Sequence, residues 1–175
     1  MGSETSQSGS SMVVLGIDPG ITNLGLGIVE QVGTQARMLY AEVVRTTHGE
    51  PAPARVGKLY RAVYQAAINY RPQAVAVEEQ FFYRQNELAY KVGWAMGAVF
   101  LVADQLEIPV YGYAPPKVKQ ALVGTGQADK QQVAYMVRAL LGLKKPPTST
   151  HLADALAIAL THCFYQKLAP GKPVS

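Results

Sequence analysis

Residues 13–29, VVLGIDPGITNLGLGIV, constrain the fold more than any other stretch of the chain. A solid apolar run from Val13 to Ile17 ends in one acid, Asp18, and a Pro19-Gly20 turn follows at once. Such a run, bounded by turn residues, predicts a central strand buried on both faces. A second run, Leu24 to Val29, carries Gly25 and Gly27 at alternate positions and predicts the hairpin partner. Its glycines leave room for something to approach the backbone closely. An ionised carboxylate at the mouth of a buried strand costs free energy unless it is hydrogen-bonded, paired or bound to a metal. Asp18 therefore needs partners from elsewhere in the chain.

The rest of the chain supplies the elements that could carry them. Arg37 to Arg45 predicts a third strand, and 46–53 a loop. Val56 to Tyr70 places apolar residues three and four apart and predicts an amphipathic helix, stopped at Arg71-Pro72. Ala74 to Val77 is a short buried strand ending in Glu78 and Glu79, and Glu87 to Gln105 a long helix. Pro109 to Tyr113 predicts a strand, Lys117 to Leu122 a short helix, and Asp129 to Leu141 a helix ended by Gly142. Thr148 or Ser149 caps a last helix running to about Leu168. Three antiparallel strands followed by alternating helices and strands predict an α/β fold, one mixed five-stranded sheet with helices on both faces.

With 175 residues, 49% of them hydrophobic and 16% charged, the chain is expected to form one folded domain over 12–168. Residues 1–11, rich in Ser and Gly, read as a flexible N-terminal tail, and 169–175 as a C-terminal tail. Apolar stretches are too short or too interrupted to span a bilayer, so no membrane partner is expected. The single Cys163 excludes an internal disulfide and fits a reducing cytoplasm. Net charge is +4, and the excess is uneven. Lys117, Lys119, Lys130, Arg138, Lys144 and Lys145 face only one acid, Asp129, within 117–145, which predicts a basic face on the C-terminal half.

Three acids sit on apolar elements. Asp18 closes the first strand, Glu78 the fourth, and Asp154 is the only acid in HLADALAIALTH, residues 151–162. Each alone has an ordinary structural reading: a turn, a strand meeting solvent, a partner for a lysine. Asp154 is the hardest to dismiss, because its helix is Ala-, Leu- and Ile-rich all round and predicts a buried position. Together, two strand ends and one helical turn could bring three carboxylates to one point, and repelling carboxylates need a cation. All-oxygen sites suit Mg²⁺ or Mn²⁺, and two such ions clamp the attacking and leaving oxygens of an in-line phosphoryl displacement. His151, three residues before Asp154, shares its helix face. It could be a nitrogen ligand, a general acid or base, or a surface residue at the helix start; its register with Asp154 favours a role in the site.

Phe81, Phe82, Tyr83 and Arg84 follow the acids. Phe81 could stack on an unpaired base and Arg84 could bind phosphate, while Phe82 and Tyr83 read as core. Lys119 and Lys130 flank the Gly124–Gly126 turn and could reach a phosphate, although such lysines are more often solvated, as is Lys91. Ala89, Gly93 and Gly97, four apart, permit close approach of the sheet or of a second subunit.

GIDPGITNLGLG at 16–27, AVAVEEQFF at 74–82, KVKQALVGTGQADK at 117–130 and HLADALAIALTH at 151–162 resemble the RuvC family of crossover (Holliday) junction endodeoxyribonucleases. The resemblance runs from Met12 to about Tyr165 with the motifs in family order. It implies an RNase H-like fold, a homodimer, and symmetric nicking of opposed strands of a four-way DNA junction with Mg²⁺ or Mn²⁺, two ions per site. It also implies partnership with the RuvA–RuvB branch-migration complex. Asp18, Glu78 and Asp154 match the family's acids, and Phe81, Lys119 and Lys130 match residues linked to junction binding. Where many relatives carry a further aspartate this chain has His151, expected to remain a ligand or proton-transfer group and to tolerate Mn²⁺ at least as well as Mg²⁺. With the acids at a metal site, Gly25 and Gly27 become candidates for close approach of the DNA backbone, although simple hairpin packing explains them nearly as well.

Three other functions compete. The 16–25 hairpin also resembles the phosphate loop of actin-like ATPases, but those need two such domains and leave Asp154 unexplained. An RNase H-like ribonuclease on RNA or hybrid would share the acids. A non-catalytic junction-binding protein would not need all three.

Overall fold

The computed structural model describes residues 11–79, 87–168 and 172–174. Phe81 and Arg84, with Phe82 and Tyr83, lie outside the described residues.

The elements run β1 (Ser11–Asp18), β2 (Asn23–Val32), β3 (Gln35–Arg45), α1 (Ala52–Tyr70), β4 (Ala74–Glu78), α2 (Glu87–Gln105), β5 (Val110–Tyr113), α3 (Pro115–Val123), α4 (Lys130–Leu140) and α5 (Thr150–Leu168). The strands form one sheet in the order β3-β2-β1-β4-β5. β1 is antiparallel to β2 and parallel to β4, and β4 is parallel to β5. This is the mixed α/β sheet the sequence predicts.

Side chains alternate across each strand, so β1 is buried in two directions. Leu15 and Ile17, with Leu24, Leu26, Val75 and Val77, pack beneath α1 and α2. Val14, with Val29, Ala76 and Tyr113, packs beneath α3, α4 and α5. Helices therefore cover both faces, as expected of an apolar central strand.

Two helix starts differ from expectation for one reason. α1 begins at Ala52 rather than Val56, and α3 at Pro115 rather than Lys117, each with proline in its first turn. Proline lacks only an N–H that has no intrahelical acceptor there, and its fixed φ suits the helix. Asp129 is the N-cap of α4: the Gln132 amide donates to Asp129 Oδ1 at 2.8 Å and the Asp129 amide donates to Gln132 Oε1 at 2.9 Å. Ser11, read as tail, is the first residue of β1, and its hydroxyl donates to Glu30 Oε1 at 2.8 Å. The Val174 amide donates to the Val110 carbonyl at 2.7 Å, which lays part of the C-terminal segment on β5.

Candidate active site

Asp18 and Glu78 are the last residues of neighbouring parallel strands, each one past the paired Ile17 and Val77. By alternation both point to the side that carries α5, since Val14 and Ala76 do. Glu79 goes the other way: its Cγ and carboxylate lie over Gly112, in the space a Cβ there would need.

α5 reaches this corner because the sheet beneath it is stripped of side chains. A Cβ on Gly16 would meet Ala155 and Ala159, one on Gly27 would lie 2.9 Å from Leu156 Cδ2, and one on Gly25 would collide with the His151 carbonyl. The glycines thus seat a helix of their own chain, which corrects the expectation that they admit the DNA backbone. The first turns of α5 then bring His151 and Asp154 over the ends of β1 and β4. A cavity of about 500 Å³ is lined by Asp18, Glu78, His151 and Asp154, together with Lys119 from α3 and Lys130 from α4.

His151 Nδ1 donates to Asp18 Oδ2 at 2.7 Å, and Lys130 Nζ stands 3.9 Å from Asp154 Oδ2. The Asp154 side chain is 35% exposed. It is not the buried acid predicted from the apolar helix, because the first two turns of α5 open onto the cavity. Burial pushes the Asp18 carboxyl above its ordinary value and the charge of Asp154 adds to this, against the pull of the His151 bond. Burial also raises Asp154, opposed by Lys130 and His151. Burial outweighs these opposing contributions at both carboxyls, so a further cation here would be stabilised.

Three carboxylates and an imidazole form a mostly hard donor set whose chemistry fits a divalent ion such as Mg²⁺ or Mn²⁺. As they stand, the described His, Cys, Asp and Glu side chains include no group of three close enough together to hold one. Asp18 is turned to His151 and Asp154 to Lys130, so binding an ion would exchange these partners.

One supporting residue escaped the sequence reading. Arg55, on α1, is 5% exposed; its Nε donates to Thr46 Oγ1 at 2.8 Å and its Nη2 to Thr22 Oγ1 at 2.9 Å. Thr46 in turn donates through Oγ1 to the Ile21 carbonyl at 2.6 Å and through its amide to the Thr22 carbonyl at 3.0 Å. These bonds tie down the turn that leaves Asp18. The signal was a base standing four residues before Leu59 on the apolar stripe of α1.

The family model described as crossover junction endodeoxyribonuclease RuvC matches residues 14–162. A crossover junction endodeoxyribonuclease RuvC from Thermus thermophilus is 59% identical over 166 residues, 93% of this chain and 100% of the relative. One from Rubrobacter xylanophilus is 42% identical over 177 residues, 99% of this chain and 96% of the relative. The solved structure of T. thermophilus RuvC in complex with Holliday junction substrate superposes with a TM-score of 0.89 at 60% identity, over 93% of this chain and 99% of that one. The yeast mitochondrial Holliday junction resolvase superposes with a TM-score of 0.61 at 15% identity, over 94% of this chain and 84% of that one, a likeness of fold alone. The shared architecture is the RNase H-like fold.

Proposed function

This chain belongs to the RuvC family of crossover junction endodeoxyribonucleases, and from that premise we propose that it resolves Holliday junctions by paired, metal-dependent nicks in opposed strands during recombination and repair. One observation carries the proposal to the level of residues: Asp18, Glu78, His151 and Asp154, from two strand ends and one helix, line a single cavity with two lysines at its rim.

The family is hydrolytic and uses divalent metal. In this proposal Asp18, Glu78, Asp154 and His151 are both the ligands and the catalytic groups for Mg²⁺ or Mn²⁺, two ions per site. When bound, such a pair activates water, neutralises charge on the phosphate and stabilises the leaving oxygen. The protein's own groups do the rest. Asp18 and Glu78 project from the ends of paired strands, so their positions are set by the sheet rather than by a loop. His151 presents Nδ1 to Asp18, which leaves Nε2 as the ring nitrogen able to pass a proton to or from the substrate. Lys119 and Lys130 attract and orient the phosphodiester backbone. Phe81 and Arg84 complete the proposed DNA contacts, as a stacking ring and a phosphate ligand. Residues 12–168 form the nuclease domain in this reading.

Opposed nicks need two active sites, and the proposal includes a homodimer. In support, α1 and α2 flank an apolar groove lined by Val56, Tyr60, Trp94 and Leu101, among others, where Trp94 is 40% and Leu101 50% exposed. Added Cβ atoms at Gly93 and Gly97 would meet nothing within 4 Å, so these glycines do not serve packing on the sheet. Action alongside RuvA–RuvB is the partnership expected of the family. Among the described residues no helix is long and apolar enough to cross a membrane.

A synthetic four-way junction tests the proposal. The wild type should nick two opposed strands with Mg²⁺ or Mn²⁺ and be inert in EDTA, and Asp18→Asn should lose on the order of 10²-fold or more in rate. Cutting in EDTA, or full activity of Asp18→Asn, would overturn the mechanism. Cutting of an RNA–DNA hybrid but not of the junction would move the assignment to a ribonuclease.

A further inference from the structure

Lys130 is both the first residue of α4 and part of the cavity rim, so α4 starts at the site and runs away from it. Its inner face, Val133 and Val137, is buried in the core. Its outer face carries Gln131, Tyr135 and Arg138 at i, i+4 and i+7, one continuous stripe.

Three features set this stripe apart. Tyr135 is 62% exposed, the most exposed of the large hydrophobic side chains among the described residues. No hydrogen bond or ion pair within the described residues engages the side chains of Gln131, Tyr135 or Arg138. No acid occurs between Asp129 and Asp154, an interval that contains Lys130, Arg138, Lys144 and Lys145. A guanidinium, an amide and a phenol along an acid-free helix are the side-chain types that hydrogen-bond to phosphate and sugar, without reading base sequence.

We propose that the Gln131–Tyr135–Arg138 stripe of α4 is a second DNA-contact surface that holds a duplex arm of the junction beyond the cleavage site. The proposal rests on the junction-resolving function above. Charge complementarity identifies the occupant: from Lys130 to Arg138 α4 rises about 12 Å, and over that length a duplex presents about seven phosphate charges. Arg138 neutralises one of them, Tyr135 lays its ring against the sugar edge and donates its hydroxyl to phosphate, and Gln131 continues the track toward Lys130. The stripe adds affinity and orientation, and it carries no base specificity.

The test measures equilibrium binding of wild type, Arg138→Gln and Tyr135→Ala in EDTA. Two four-way junctions are used, one with long arms and one with arms trimmed to a few base pairs. On the long-armed junction each substitution should raise Kd about three- to tenfold, and Arg138→Gln should lower the slope of log K against log salt by about one. On the trimmed junction both variants should match the wild type. Circular dichroism melting of each variant guards against misfolding. Unchanged affinity and salt slope on the long-armed junction would overturn the inference and leave the stripe to a protein partner. An equal loss on both junctions would also overturn it, because the effect would not come from an arm. If the wild type itself failed to prefer a four-way junction over linear duplex, the proposed function would fail instead.

Discussion

Gly25 stands against the backbone of His151: a Cβ there would lie 2.9 Å from the His151 carbonyl carbon, closer still to its oxygen, and 3.2 Å from Asp18 Cβ. Gly25 is also the cross-strand partner of Asp18. One missing side chain therefore sets the distance between the strand that carries Asp18 and the helix that carries His151 and Asp154. Gly25→Ala must push the start of α5 off the sheet. It should cost about 1–3 kcal/mol in denaturant unfolding, and on the order of 10²-fold in nicking rate, because a shift near 1 Å is enough for that. Gly49→Ala, in open space on the loop before α1, should leave both unchanged. Equal stability and rate for Gly25→Ala would show that the site does not depend on this contact.

Behind the site, His162 is 1% exposed and its Nδ1 lies 2.8 Å from the Tyr113 hydroxyl, on the residue that pairs with Glu78. Burial pushes the imidazole down to about 4 from 6.5. The unfolded chain takes up this proton as pH falls below 6.5, while the folded protein refuses it until about 4. His162 thus contributes stability that is complete above pH 6.5 and is lost as pH falls toward 4, by about 3 kcal/mol at most. Asp18 and Asp154 act in the opposite sense, since raised carboxyls take protons more readily in the fold. Urea unfolding at pH 7 and pH 4.5 separates the two. His162→Gln, which cannot titrate, should lose much less stability between these pH values than the wild type. Parallel losses would refute a neutral buried His162.

Most of the framework was legible in the sequence because each level pointed the same way. Val13 to Ile17 is too apolar to be anything but a buried strand, and Val133, Met136, Val137 and Leu140 keep a helical period. The ends were less legible: proline at 53 and 115 reads as a break, yet the first turn of a helix accepts it. Of the two adjacent acids that follow the AVAV strand, alternation puts only Glu78 on the face of Asp18, and the sequence carries that much in its period. What could not be read was distance. Nothing in the glycine pattern says whether the approaching backbone belongs to DNA or to α5. Nor does an all-apolar helix reveal that its first two turns, with Asp154, would open onto a cavity.

The groove between α1 and α2 supplies a prediction about assembly. Tyr90 packs edge-on to Trp94 with ring centroids 5.1 Å apart, and both rings are substantially exposed. An aromatic anchor of this kind is the sort of residue whose loss dominates an interface. Trp94→Glu should weaken self-association about 30-fold or more, read by analytical ultracentrifugation. The paired nicks on one junction should then become single, independent nicks. A dimer as tight as the wild type would place the subunit interface elsewhere.

His151 is the one imidazole beside three carboxylates in the cavity, and its bond to Asp18 makes its role testable. Replacing it with alanine removes the Nδ1 donor and leaves Asp18 facing Asp154 without its hydrogen-bond partner. Nicking should fall about tenfold or more with either metal, the scale seen when a group that orients a metal site is lost. Aspartate at the same position restores a hard oxygen donor but adds a negative charge next to Asp18. His151→Asp should therefore keep substantial activity with Mg²⁺ while the ratio of Mn²⁺- to Mg²⁺-supported rates falls, since imidazole suits Mn²⁺ better than it suits Mg²⁺. Rates measured on one four-way junction across a titration of each metal decide the matter. If His151→Ala nicks as fast as the wild type with both metals, the residue is neither a ligand nor a proton-transfer group. If His151→Asp leaves the metal ratio where it was, the imidazole does not set metal preference.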